Sequence, residues 1–507
     1  MLTRRVSVIH IGLVCLLTLG CNQRRPAWPV DEGLPVVDAG GAEGGADTIA
    51  ADTAAADGPV GDPGWLLMLT GSGDVGFSNL AVDDRGNALV AAVFEQTASL
   101  GPNHQVSAVG GSDSQNFLLA KVDTDGAVQW VVTGHGGAVA GLAPDGAGGA
   151  YVVVRVSVEA TFGNRHLTGL AYGSLLVARV STGGEVAWAV ASSGDDGAMG
   201  WGSANVVGLP TGPVLASGLE KQVSLGGAAL VPQSSNAVGF VLWLDGADGS
   251  ALHSMVSGDL ATPGYSPSTW FDGIVVDEGG DLRLGGGTDH SVFAARIDSP
   301  GKPSWVKVAW GGGNSNYYFG GLDVGPAGQT YFAGSGACEE VYPFTLGSLT
   351  LPLCNIPPPL SSLPLRCFVA RLEHDGAPAW LVGSQVVGQE RCRPLSVAAA
   401  PGALHVAGTY HGALTFGGCS LPAAGDSDHV GLFALRFNDA GTCERSIGPL
   451  GLTTSTSALD PALEVATHDG KVWLAGGFTG AATFGPLGSR AAVKTDGFLW
   501  RLPDPIP

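Results

Sequence analysis

The chain has 507 residues, of which 81 are Gly, 45% are hydrophobic and only 14% are charged. That composition suits short strands and tight turns rather than long amphipathic helices. The formal net charge of -21 excludes the basic surface that displaces counterions from nucleic acid. It also excludes a polybasic membrane contact and instead keeps the chain soluble by self-repulsion.

The N-terminus reads as an export signal. Arg4 and Arg5 precede an apolar core, Val6 to Leu19, of 14 residues. This is too short to span a bilayer and has the usual length of a cleaved signal. Thr18-Leu19-Gly20-Cys21 follows. It resembles the lipobox of bacterial lipoproteins, with Thr18 where that family prefers Leu. The resemblance implies that residues 1–21 are a lipoprotein signal peptide and that Cys21 is acylated. Asn22 in place of Asp after the Cys does not imply inner-membrane retention, so the expected address is the cell envelope, at the outer membrane. The lipid would be the chain's sole membrane contact. Residues 22–63 are rich in Gly, Ala, Asp and Pro, with eight acidic residues. Such a run buries too little apolar surface to offset its ordering entropy, so it reads as an extended tether.

From residue 64 a repeat takes over. NFLLAKVDTDGAVQWVVT, Asn116 to Thr133, is a β-hairpin: two apolar runs are split by Asp125-Gly126, where Gly accepts the positive φ of a tight turn. Related units end at Trp188, His253, Trp305, Trp380 and Arg445, and a truncated copy lies at Phe498 to Leu502. Trp65, Trp130, Trp188, His253, Trp305, Trp380 and Arg445 open equivalent strands at spacings of 65, 58, 65, 52, 75 and 65 residues. Each unit supplies four strands, A to D. A resembles LAVD and B resembles ALVAAV, C carries an apolar-basic-apolar run, and D is opened by the Trp. Between B and C lies a Leu-Gly or Phe-Gly loop, from Leu100-Gly101 to Phe484-Gly485, which the fourth unit lacks. A fixed period of this kind decides the fold before local propensity does. The reading is an all-β, seven-bladed β-propeller of four-stranded antiparallel blades over residues 64–503. The last unit lacks strand D and the first has a surplus one, so Trp65–Thr70 should close the ring antiparallel beside Phe498–Leu502. The basic residue of strand C (Lys121, Arg179, Arg296, Arg371, Arg436, Arg501) is expected to lean on its blade edge with its charge in water.

Over residues 65–502 the units resemble the β-propeller repeats of exported and surface bacterial proteins, with the pattern GNxYVAGxF, FG, DxFVARLDxxGxxxW. The resemblance implies fold and carries no shared catalytic motif. Propellers host unrelated activities.

Chemistry-bearing motifs are sparse. Gly71-Ser72-Gly73-Asp74-Val75-Gly76 mimics a dinucleotide fingerprint but leads into a strand, so no helix N-terminus is available for pyrophosphate. Asp123-Thr124-Asp125-Gly126 lacks the third oxygen ligand and the bidentate Glu of a calcium loop and reads as turn chemistry. The eleven His show no metal-ligand spacing, and no Gly-x-Ser-x-Gly elbow occurs. No cofactor, metal or catalytic residue is assigned. Phe77, Trp201, Phe271 and Phe319 share a register three residues before strand A and are expected to cap the core. Tyr265, Trp270, Trp310, Tyr317 and Tyr318 fall outside that register, in the D–A links of units four and five. They are the candidate ligand-binding residues, for a sugar or peptide.

Six cysteines remain beyond Cys15 and Cys21: Cys338, Cys354, Cys367, Cys392, Cys419 and Cys443. In an oxidising compartment they allow three disulfides. Cys338–Cys354 is the expected pair and Cys367–Cys392 the second choice. Cys419 and Cys443 start on opposite faces, so they meet only if their B–C loop runs down the blade edge. The leading function is a monomeric, surface-tethered, non-catalytic module that binds a protein or glycan partner. The alternatives are an exported hydrolase or lyase with carboxylates in the central funnel, and a structural envelope protein.

Overall fold

Alternating apolar residues with Gly at the turns drive each unit into an antiparallel meander. A computed structural model describes residues 64–503 except 110–114, 169–172, 195–203, 233–237, 258–268, 289–290, 300–301, 311–316, 339–342, 355–363, 386–390, 425–428, 449 and 455–462. The signal, Cys21, the tether, Trp201 and Tyr265 therefore lie outside the described residues. The described elements are β-strands with short helical turns.

In the first meander Val75–Val82 pairs with Ala88–Phe94, then Asn116–Val122, then the start of Val128–Pro144. Its last strand runs on, through irregular register near Gly136, as the first strand of the next meander. That one continues with Ala150–Phe162, Ser174–Val180 and Val186–Ala191. The same order recurs from Asn205–Leu209 to Ala251–Val256 and from Thr269–Val276 to Lys302–Trp310. It recurs again from Tyr317–Val324 to Pro378–Gln385 and from Arg391–Ala400 to Cys443–Ile447. In the last meander Leu463–His468, Lys471–Thr483 and Ser489–Arg501 are joined by Trp65–Gly71, antiparallel, with Trp65 opposite Arg501 and Met68 opposite Phe498. Buried side chains fill the seams between neighbouring meanders: Phe271 and Phe293 pack with Val241 and Trp243 across one, and Phe433 and Tyr410 with Tyr331 and Val369 across another.

The Leu-Gly and Phe-Gly loops prove to be seam plugs. Leu100, Phe162, Leu346 and Phe416 are buried, and each pairs with the outer strand of the preceding meander, opposite Leu69, Gly134, Ala309 and Ser384.

The strand-C cations depart from expectation. Lys121 is 2% exposed and pairs with Asp83 at 2.7 Å. Arg179 meets Asp145 at 2.9 Å, Arg296 meets Asp281 at 2.6 Å, Arg371 meets Glu373 at 3.1 Å and Arg436 meets Glu444 at 3.2 Å. The physical reason is the Asp that ends strand A or the acid near the turn. Placed beside the cation, it makes burial tolerable. Four of the cations also reach across a seam, Lys121 Nζ by donating to the Gly148 carbonyl at 2.7 Å. Arg179 Nη1 and Trp188 Nε1 both donate to the Gly246 carbonyl, at 3.2 and 2.9 Å. Arg296 and Trp305 both donate to the His374 carbonyl, at 3.2 and 3.0 Å. Arg371 and Trp380 both donate to that of Asp439, at 3.0 and 2.9 Å. Trp65 Nε1 donates to the Thr124 carbonyl at 2.8 Å. Each Trp acceptor is the second residue of the C–D turn in the following unit, so Trp65, Trp188, Trp305 and Trp380 act as clasps, while the buried Trp130 Nε1 makes no such bond among the described residues.

The turn must present a Gly beneath that Trp. Gly441 has φ +78, and a Cβ there would lie 2.9 Å from the Trp380 ring. Gly402 has φ +70 with open space around it. Gly402→Ala is expected to lose only the backbone term, about 1 kcal/mol, and Gly441→Ala about 2 kcal/mol or more. Urea unfolding of the two variants measures the difference, and equal losses would refute the clasp.

The disulfides pair Cys338 with Cys354, Cys367 with Cys392 and Cys419 with Cys443, with Cα separations of 5.6, 5.3 and 5.5 Å. The third pair is reached because Ala403–Phe416 overruns its sheet and returns as Cys419–Ala424. Cys443 N–H then donates to the Gly417 carbonyl at 2.7 Å. The last unit overruns likewise: its second strand extends to Thr483, and its third starts at Ser489, well before the expected Phe498–Leu502.

Candidate functional site

The described candidate aromatic residues differ in strand and in exposure. They sit in strands rather than in the D–A links: Trp270 in Thr269–Val276, Trp310 at the end of Lys302–Trp310, and Tyr317 and Tyr318 at the start of Tyr317–Val324. Trp310 is 52% exposed but belongs to an outer strand, while the other three are on first strands. Trp270 is half-buried against Gly287, whose missing side chain makes room for the indole. Tyr317 is buried, with its ring 5.9 Å from Phe344. Alternation along the strand turns Tyr318 the opposite way, and it stays 40% exposed. Of the register caps, Phe77 and Phe271 are buried as expected.

What lies beside Tyr318 is a cation. The Arg393 guanidinium carbon is 5.6 Å from the Tyr318 ring centre, within the range of a cation–π contact. Arg391, two residues earlier on the same face, is half-buried. Burial lowers its pKa, opposed by Tyr318. His411 lies opposite Arg391 and Thr409 opposite Arg393. Between the two Arg, Cys392 is tied to Cys367, which fixes the strand that presents them. Sequence reasoning passed over these Arg. The available signal was Arg391-Cys392-Arg393 in a chain with only 24 Lys and Arg.

Two carboxyls sit deeper on first strands. Asp323 Oδ2 accepts from Ala399 N–H at 2.7 Å, and Oδ1 from its neighbour Val324 at 2.8 Å. Burial raises it to about 6 against those bonds. Glu464 is raised to about 7 by burial, opposed by a Ser396 hydrogen bond. Both keep some solvent contact, but the atoms crowded around them desolvate the anion. Arg391–Ala400 provides a partner to each, Ala399 to one and Ser396 to the other. Among the described residues no hydrogen bond joins the two carboxyls. His405 is lowered to about 4 by burial and by Arg436, which lies opposite it in the sheet. Among the described residues no group of three or more His, Cys, Asp or Glu could hold a metal ion.

A shallow cleft of about 460 Å³ elsewhere is lined by Val190, Ser193, Ser224, Asp248 and Ser250 among others. It offers hydroxyls and a carboxylate, with neither an aromatic ring nor a cation. Asp248 Oδ1 accepts from the Ser250 backbone N–H at 2.8 Å.

No protein family matches the chain by sequence, and no curated protein does. Among solved structures, the chain is similar to a catalytically inactive virginiamycin B lyase from Staphylococcus aureus solved with quinupristin. Identity is 11% over 86% of this chain and 99% of that one, with a TM-score of 0.39. The Dos1 propeller matches at 8% identity over 87% of this chain and 96% of that one, TM-score 0.43. The rhamnogalacturonan lyase YesW matches at 14% identity over 76% and 75%, TM-score 0.28. At such scores the superpositions are loose and carry no functional information.

Proposed function

We propose that the chain is a lipid-anchored, exported, non-catalytic binding module: a monomeric seven-bladed β-propeller held off the envelope by the 22–63 tether, with a glycan as its partner. The ring reading is supported by the first strands. Consecutive ones lie against each other along the chain, and Leu463–His468 lies against Val75–Val82. Trp65–Gly71 in the last meander completes the set. Three disulfides suit an oxidising compartment. The observation that carries the binding role is the exposed Tyr318 ring beside Arg393. An aromatic face with a neighbouring charge recognises ligands without needing a reactive group. A glycan array probed with residues 64–503 should give saturable, class-selective binding, and uniform absence of binding would refute the role. For the anchor, Cys21→Ser is expected to abolish membrane fractionation and labelling by a palmitate analogue. Unchanged membrane association would refute the lipid.

A hydrolase or lyase is the second reading, favoured by one observation: Asp323 and Glu464 have raised pKa values on strands flanking Arg391–Ala400. Carboxyls poised near neutrality suit general acid–base work. Asp323→Asn and Glu464→Gln variants with unchanged ligand binding and no loss of any glycan-cleaving activity would set this reading aside.

A further inference from the structure

The chain has charge -21 with 24 Lys and Arg, and several of the cations are tied to acids. Lys121, Arg179, Arg283, Arg296, Arg371 and Arg436 each pair with a carboxylate. Arg393 is different. It is exposed, and its guanidinium forms no ion pair or hydrogen bond among the described residues. Its one contact of note is the Tyr318 ring, 5.6 Å away. The ring is itself 40% exposed, so an aromatic surface and an uncommitted guanidinium face the same solvent. Arg391 shares the strand face, and the Cys367–Cys392 disulfide holds both Arg in place.

We propose that Tyr318, Arg391 and Arg393 form a binding site for a uronate, the carboxylate-bearing sugar unit of an acidic polysaccharide. The inference rests on the glycan-binding reading and names its ligand class. A guanidinium takes a carboxylate in a planar, two-pronged geometry. A uronate holds its carboxylate rigidly at the edge of a pyranose ring whose C–H face is apolar. One rigid unit therefore offers both groups at the short separation at which this site presents a cation and an aromatic ring. An Asp or Glu side chain offers the carboxylate on a flexible stem without an attached apolar face, so an acidic peptide fits less well. A neutral sugar would use Tyr318 and leave Arg393 unengaged. The surrounding negative charge disfavours non-specific capture of polyanions, so binding here requires the local cations.

The test is calorimetric titration of the full-length protein with a trimer of galacturonate, a neutral hexose trimer and a Glu-rich peptide. The expected result is binding of the uronate trimer alone, weakened at least tenfold by Arg393→Ala and by Tyr318→Ala. Arg445→Ala, which removes the same charge from an exposed position elsewhere, should leave it unchanged. Arg393→Ala loses only the exposed Tyr318 contact, so its variant should melt within about 1 kcal/mol of the parent. Equal binding of the neutral and acidic trimers, insensitive to Arg393→Ala, overturns the uronate site and leaves the glycan reading standing. Binding of the peptide alone overturns both. Binding of none of the three overturns the site.

Discussion

Deleting residues 64–70 is expected to destabilise the 64–503 domain by about 5 kcal/mol or more, whereas deleting 22–63 should change it by less than about 1 kcal/mol. The short segment forms the outer strand of the last meander, over 400 residues away in sequence, with ladder pairs from Trp65–Arg501 to Leu69–Gly497. Leu69 is fully buried, and Leu66, Leu67 and Met68 are half-buried. At roughly 1.5–3 kcal/mol per fully buried aliphatic side chain, and less for the others, apolar burial alone supplies most of the loss. Trp65 adds its bond to the Thr124 carbonyl. The strand's other edge carries the Thr97–Leu100 plug through Leu69–Leu100 and Thr70–Ser99. Removing it therefore opens two seams and leaves an unpaired edge that invites association. Natural domains are stable by about 5–15 kcal/mol, so the shortened protein should unfold at low urea or aggregate. A variant lacking 64–70 that melts within about 1 kcal/mol of its parent would refute the closure.

The meander order was legible because the repeat speaks several times. Most units show the A–B turn, the C–D turn and the Trp, with His253 and Arg445 in place of the Trp in two of them, and the structure's hairpins follow them closely. The Asp123 turn is as expected: Asp123 Oδ1 accepts from Asp125 and Ala127 N–H at 3.0 and 2.8 Å. The job of the Trp and the cation was harder to read. Periodicity says that Lys121 and Trp130 face each other within one sheet. It does not say that the next unit's turn lies over such a pair, because the contact is set by how sheets stack rather than by spacing along the chain. The cation was therefore expected in solvent, though the acid that neutralises it was already visible as the Asp ending strand A. The candidate site shows the same limit. Adjacent Tyr317 and Tyr318 look equivalent in the sequence, yet strand alternation buries one on Phe344 and exposes the other. Arg393 meets Tyr318 from a different unit, a neighbour no local pattern could nominate.

Glu464→Gln is expected to stabilise the domain at pH 8.5 and to leave it nearly unchanged at pH 4.5. Burial raises the Glu464 carboxyl from 4.5 to about 7, so between those values the folded protein holds a proton that the unfolded chain has released. Stability is then greatest below the unfolded pKa. It falls as pH rises through the interval and levels off above about 7. A shift of this size corresponds at most to about 3 kcal/mol. Because the side chain keeps some solvent contact, about 1–2 kcal/mol is the expected gain in the variant at alkaline pH. Asp323, raised from 3.8 to about 6 by burial, acts in the same direction over a lower interval. Asp83 opposes them. Burial pushes its carboxyl up, but its hydrogen bonds with Asn87 and Lys121 outweigh burial and lower its pKa. Its contribution is therefore lost at the acid end, as pH falls through its folded pKa. Parent stability should accordingly peak at mildly acidic pH, where Asp83 is ionised and Glu464 is not. Urea unfolding of parent and Glu464→Gln at half-unit steps from pH 4.5 to 8.5 measures the divergence. Curves that stay parallel over that range would mean that Glu464 ionises freely in the fold, and the second, acid–base reading of the inner carboxyls would lose its support with it.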